Sequence, residues 1–224
     1  MTDFEQLEAL LQRRHSCRAF LPTPVPRGVI EQILTAAQRG ASWCNAQPWK
    51  VHIASGKGLD KLRDALYVRA QGASRPAPEL DWPREYRGVY QDRRRECGWE
   101  LYRATGVQKG DREASLRQAR ENFRMFGAPH VAILSSEKLL GTHGVMDCGA
   151  WVANFLLACT AAGVATIAQA ALATYPDILR EHLDIAADRV IVCGVSFGYE
   201  DTAHPANSFR TTRAPLGEVA TWVE

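Results

Sequence analysis

"VMDCGAWVANFLLACTAAG", Val145 to Gly163, is apolar nearly all round. A helix of that composition has no solvent face, so it belongs at the centre of a core or inside a membrane. At about 19 residues, with Asp147 and Asn154 in the run, it makes a poor membrane span. A central buried helix is expected, and it needs layers around it. Immediately after it come "VATIA" (164–168) and, beyond the short amphipathic "YPDILREHL" (175–183), "RVIVCGVSFGY" (189–199), all reading as buried strands. Before it lies "HVAILSS" (130–136), a strand by its β-branched and apolar content.

Further toward the N-terminus, Lys50 to Ala54 alternates as a strand through Val51 and Ile53, and the other segments carry helical spacing. Thr2 and Glu5 form a capping-box pattern ahead of Phe4, Leu7, Leu10 and Leu11, in a helix stopping near Arg14. Pro26 opens a second helix through Ile30, Ile33, Leu34 and Ala37, with Gly40 as its stop. Leu59, Leu62, Leu66 and Ala70 mark a third, and two more are expected over Asp92 to Thr105 and Asp111 to Phe126. Between the third and fourth lies "QGASRPAPELDWPREYRGVY" (71–90), which reads as an excursion over the surface. Four strands and six or seven helices, loosely alternating, give an α+β fold with a sheet wrapped by helices. One domain, residues 1–224, with an irregular and helical excursion at about 71–110, is the expected organisation.

The chain has 224 residues, 46% hydrophobic and 23% charged, with a formal net charge of +2. Such a balance calls for neither nucleic acid nor an acidic membrane as a partner. "TDFEQLEALLQ" after Met1 is acidic where a signal peptide is basic, so a cytoplasmic location is expected. Cys17, Cys44, Cys97, Cys148, Cys159 and Cys193 form no Cys-x-x-Cys pair, and reduced packing thiols are expected rather than a metal site. Walker, Gly-x-Gly-x-x-Gly, His-Glu-x-x-His and Gly-x-Ser-x-Gly patterns are absent. An enzyme built on this chain would carry its chemistry on a bound cofactor.

Three short stretches point to that cofactor. "RRHSCRAF" (13–20) and "HPANSFRTTRAPLGEV" (204–219) concentrate arginine next to extended segments, and a dianionic phosphate draws more than one guanidinium fork. Surface charge is the bland alternative for each. "SWCNAQPW" (42–49) adds the amides of Asn45 and Gln47, which donate and accept along one edge and suit a planar heterocycle such as isoalloxazine.

With these three stretches in this order, the chain resembles the nitroreductase family of flavin enzymes over nearly its whole length. The resemblance implies an FMN-binding α+β fold, a central and mainly antiparallel sheet in an intertwined homodimer, with each flavin site built from both chains. By similarity, Arg14, His15, Ser16 and Arg18 line the flavin from one subunit, with Arg14 and Ser16 nearer the phosphate and ribityl chain and Arg18 nearer the pyrimidine edge. Ser42, Trp43, Asn45 and Gln47 come from the other subunit, and Arg210 and Arg213 close on the phosphate. "GVATIAQAAL" (163–172) corresponds to the stretch beside the flavin ring, pointing at Ala168, Gln169 and Ala170, although a glycine common just after it is Ala171 here. Arg69 is a further candidate ligand.

The implied reaction is a ping-pong hydride transfer from NADPH or NADH through flavin N5 to a nitroaromatic acceptor, with quinones as side acceptors and no catalytic side chain assigned. Trp43, Trp82 and Tyr86 are candidate substrate contacts over the ring, and interface packing would explain them equally well. Arg84, Arg87 and the run Arg93 to Arg95 fit an acidic acceptor such as a nitrobenzoate, or a solvated helix face. Two other classes stay open: a flavin enzyme reducing enones or removing halogens, and a non-enzymatic basic adaptor for nucleic acid, against which the low net charge argues.

Overall fold

The computed structural model describes residues 1–224. Four strands form one sheet in the order β1-β2-β4-β3, every pair antiparallel, with β1 at Lys50–Ser55, β2 at His130–Glu137, β3 at Ala165–Gln169 and β4 at Arg189–Gly198. The helices are α1 (Asp3–Arg13), α2 (Arg27–Ala37), α3 (Gly56–Gln71), α4 (Val89–Thr105), α5 (Arg112–Arg120), α6 (Gly141–Ala161) and α7 (Pro176–Leu183). The capping box forms as expected, with Glu5 N–H donating to Thr2 Oγ1 at 3.2 Å and Thr2 N–H to Glu5 Oε2 at 2.7 Å.

Both faces of the sheet are covered, which is why β2 reads as an unbroken apolar run. Val131 and Ile133 pack into a core with Leu59, Leu62 and Leu66 of α3, while Ala132 and Leu134 face α2 and α6. β4 changes faces part-way: Ile191 lies in the α3 core, whereas Val195 and Phe197 lie in the α6 core, although all three have the same parity. A bulge reconciles them. Ser135 pairs with Ile191 and Leu134 with Cys193, so Val192 is an extra residue that flips the alternation.

Two expectations need correction. α6 is buried along a single stripe, Gly144, Cys148, Trp151, Phe155 and Cys159, rather than all round. Its other side, with Met146 64% exposed, has no covering element in this chain. By length and composition α6 is apolar enough to cross a membrane, yet its buried stripe packs on the sheet. α5 stops at Arg120 instead of Phe126: from Glu121 to Met125 the backbone N–H groups donate to carbonyls three residues back, and Met125 and Phe126, both buried, then take left-handed φ of 56° and 52° that no helix continues through. The 72–88 segment runs over the surface without helix or strand, anchored at Glu79, which pairs with Arg180 at 2.6 Å and accepts Ile191 N–H at 2.8 Å.

His130 at the start of β2 is 4% exposed and accepts Val25 N–H at Nε2 (2.8 Å), with Ser55 Oγ 2.6 Å from Nδ1. Burial holds this imidazole below the ordinary histidine value of 6.5. The folded chain therefore refuses a proton that the unfolded chain accepts below that value. The contribution of His130 to stability is present above the ordinary value of 6.5 and is lost as the pH falls through the lowered folded value. Denaturant midpoints at pH 7.5 and 5.5 should fall further in the wild type than in His130→Gln; equal falls would assign the acid sensitivity elsewhere.

Candidate functional site

α1 ends at Arg13, and the chain then runs extended beside the sheet. Ser16 bridges Thr166 of β3, Cys17 N–H donates to Thr166 O at 2.9 Å, and Phe20 bridges Glu200 just after β4. This stitching brings the 14–18 segment against the C-terminal tail. Between them lies a cleft of about 680 Å³ lined by Arg14, His15, Ser16, Arg18, Arg210 and Arg213 among others. The two arginine-rich stretches thus meet in space, as their chemistry predicts.

No carboxylate pairs with any of the four cleft guanidiniums. Burial and then the neighbouring Arg213 push Arg14 below the usual arginine range, and burial does the same to Arg18. Like charges held together without a counter-ion have the character of an anion site. Asn207 organises it. Its buried amide accepts Arg18 N–H at 2.7 Å and donates to Ala19 O and Asp201 O, both at 2.9 Å, while its carbonyl accepts Arg210 Nη1 at 2.7 Å. His15 lines the cleft, but its ring nitrogens face Glu200 (2.9 Å) and Arg13 O (3.0 Å), so it acts as a strut. Burial raises the Cys17 thiol to about 12, which makes it a neutral packing group.

Arg18 also lines a second chamber of about 280 Å³, with Tyr102, Asn122, Phe126, Ala168 and Ala170. The expected ring-side stretch therefore adjoins the arginine cleft through one shared residue. Gln169 departs from expectation: its side chain donates to Asn122 O at 3.0 Å and accepts Ser196 Oγ at 2.5 Å, leaving no free amide for a ligand. Arg69 is likewise engaged, with Asp177 at 2.9 Å.

Ser42, Trp43, Asn45 and Gln47 line neither the cleft nor the chamber. They sit near the start of α6, where Trp43 N–H donates to the Asp147 carboxylate at 3.2 Å and the Trp43 ring meets His143 edge-on at 4.2 Å. α6 passes close here because residue 144 is glycine: a Cβ would lie 2.5 Å from Ser136 Oγ. The loop itself is strained. Cys44, Asn45 and Gln47 all take positive φ (50°, 57° and 48°) without a glycine among them, at about 1–3 kcal/mol each, least for asparagine. Trp82 and Tyr86 are exposed on the 81–88 segment, Tyr86 beneath Arg94 at 5.2 Å, and neither lines the cleft or the chamber.

Sequence reasoning passed over Asn207, Glu200, Tyr102 and Asn122. Asn207 lies inside the quoted tail, but only the fold shows its amide buried between two segments almost 190 positions apart.

A strapped, antiparallel sheet carrying an arginine cleft free of carboxylate partners, joined through Arg18 to a chamber of about 280 Å³, has the character of a site for an anionic cofactor. The Nitroreductase family model matches residues 11–199, and the chain belongs to the nitroreductase family. It is 36% identical over 214 residues to nitroreductase NfnB of Mycolicibacterium smegmatis, covering 94% of this chain and 90% of that protein. It is 32% identical over 223 residues to a 4-nitrobenzoate reductase of Nocardioides sp., covering 98% and 90%. Its fold superposes with a TM-score of 0.94 on the crystal structure of the FMN-dependent nitroreductase NfnB from Mycobacterium smegmatis in complex with NADPH, at 32% identity, covering 99% of this chain and all of that one.

Proposed function

We propose that this chain is an FMN-dependent oxidoreductase that uses NAD(P)H to reduce nitroaromatic compounds, acidic ones such as nitrobenzoates among them, with quinones as secondary acceptors. The observation that carries this reading is the cleft in which Arg14, Arg18, Arg210 and Arg213 converge with no ion-pair partner. The donor set fits a phosphate-bearing cofactor, and relatives with FMN and NADPH or with nitrobenzoate in their names agree with it.

Arg14, Arg210 and Arg213 hold the phosphate, with Ser16 beside the ribityl chain. Arg18, buried between cleft and chamber, presents positive charge to the polar edge of the ring. Ala168 and Ala170 line the chamber with small side chains, which would suit a flat ring. FMN held there would supply hydride-transfer chemistry between NAD(P)H and the second substrate. No side chain is assigned a proton transfer, since nitro oxygens are protonated from solvent. The Asn45 and Gln47 amides of a second copy complete the ring site in a homodimer. The uncovered side of α6 and the exposed Leu7 and Leu11 of α1 supply apolar surface for that pairing. Trp43 of the same loop, 60% exposed, would shield the ring and stack on the acceptor. The enzyme works in the cytoplasm on this reading.

The test is the visible spectrum of the purified protein under argon, before and after NADPH and then after 4-nitrobenzoate. A flavin band that bleaches with NADPH and returns with the nitro compound is expected. Bleaching without return, with turnover on enones or halogenated phenols instead, would replace the acceptor. A protein colourless even after FMN is added would sink the reading, and salt-sensitive DNA binding would then favour a basic adaptor.

A further inference from the structure

The loop carrying Asn45 and Gln47 is the most strained segment on the surface, and two charged side chains hold its ends. At the near end, both Asp147 oxygens face Trp43 N–H, at 3.2 and 3.3 Å. At the far end, Arg189 Nη2 donates to Pro48 O at 2.6 Å. The same guanidinium donates from Nε to Ser135 Oγ (2.8 Å) and from Nη2 to Ser135 O (2.7 Å). It therefore ties the loop to the middle of the sheet.

Neither Asp147 nor Arg189 forms an ion pair, although both are half-buried. A half-buried arginine that spends its fork on neutral oxygens gains nothing by charge neutralisation. What it gains is geometry, because a planar fork fixes the acceptors it touches relative to one another. Its position has a cause in the strand. Arg189 is the first residue of β4, on the N-terminal side of the Val192 bulge, and the bulge re-aims that end of β4 relative to the rest. Between the two ends, Ser42 Oγ accepts Gln47 N–H at 3.0 Å and Gln47 Nε2 donates to Asn45 O at 3.2 Å, closing the loop on itself.

We propose that Arg189, with Asp147 as its counterpart, is a positioning residue that holds the strained Ser42–Pro48 loop in its ligand-ready shape, so that the Asn45 and Gln47 amides meet the flavin without reorganising. The inference rests on the reading that this loop contacts FMN. Without the clamp the loop relaxes toward ordinary backbone angles and must be re-strained on binding, which weakens affinity while leaving the amides present.

The experiment measures FMN affinity of the full-length protein by quenching of flavin fluorescence, together with the melting temperature of the cofactor-free protein. Arg189→Met is expected to weaken FMN binding about tenfold or more, and Arg189→Lys, which keeps the charge but loses the fork, to fall between. The diagnostic step adds Cys44→Asn to Arg189→Met. Asparagine tolerates the left-handed angle at that position, so it should restore part of the lost affinity, an effect that a general loss of packing would not produce. Arg189→Met binding within about twofold of wild type, while Asn45→Ala and Gln47→Ala bind weakly, would overturn the clamp alone. Unchanged binding in Asn45→Ala and Gln47→Ala would overturn the reading of the loop and the clamp with it. Lost affinity in Arg189→Met that Cys44→Asn leaves untouched, with the melting temperature falling in parallel, would reduce Arg189 to a structural residue.

Discussion

Replacing Arg14 with alanine is expected to weaken FMN binding by about 10- to 100-fold, and the Arg14→Ala/Arg213→Ala double variant by about 1,000-fold or more, since hydrogen bonds to a charged phosphate are worth about 1.5–3 kcal/mol each. The cofactor-free protein should respond in the opposite sense. Arg14 is held below the usual arginine range by burial and by the Arg213 guanidinium, so deleting it relieves a cost that only a bound anion offsets. The single variant is expected to melt no lower than wild type without FMN, and markedly lower than wild type with FMN in excess. Inorganic phosphate should protect the wild type more than the variant. Both variants binding FMN within threefold of wild type would remove the phosphate from this cleft.

Trp151→Ala is the most damaging single core change expected. Trp151 is fully buried on the inner stripe of α6 and stacks on Phe155 with ring centroids 5.0 Å apart, so truncation should cost about 3–5 kcal/mol. That is a large part of the roughly 5–15 kcal/mol that stabilises a domain. Trp151→Phe should be far milder. The indole Nε1 is buried with no hydrogen-bond partner, so phenylalanine removes an unsatisfied donor along with part of the ring volume, and its cost should stay well below that of alanine. Denaturant midpoints at one fixed protein concentration compare the two, because the stability of the proposed homodimer would depend on concentration. Phenylalanine as costly as alanine would mean that Nε1 has a partner after all.

Particular elements show where sequence reading succeeds and stops. The four strands and the capping box at Thr2 and Glu5 are local patterns, and they appear where periodicity and side-chain chemistry place them. The arginine stretches were legible because unbalanced like charge beside apolar sequence has few uses. The end of α5 was not, since Gly127 marks only the last of three consecutive left-handed residues and nothing local marks Met125 and Phe126, whose side chains are buried. The strain at Cys44, Asn45 and Gln47 was hidden for the same reason, as the hydrogen bonds that sustain it come from Asp147 and Arg189, more than a hundred residues away. Composition showed that α6 is apolar on two sides but could not say that this chain covers only one of them.

By itself the sequence determined the α+β class, the four strands and the three stretches that suit a phosphate and a flat heterocycle, because each depends on residues close together along the chain. Tertiary structure alone decided which residues keep their polar groups free for a ligand. Gln169 and Arg69 look like ligands in the sequence and are consumed by Asn122, Ser196 and Asp177, whereas Arg14, Arg18, Arg210 and Arg213 have no carboxylate partner, and the last three spend only one nitrogen each on nearby carbonyl or hydroxyl oxygens. The physical reason is that a hydrogen-bonding group is available only when no neighbour in space has satisfied it, and those neighbours are chosen by the packing of the sheet, not by spacing along the chain.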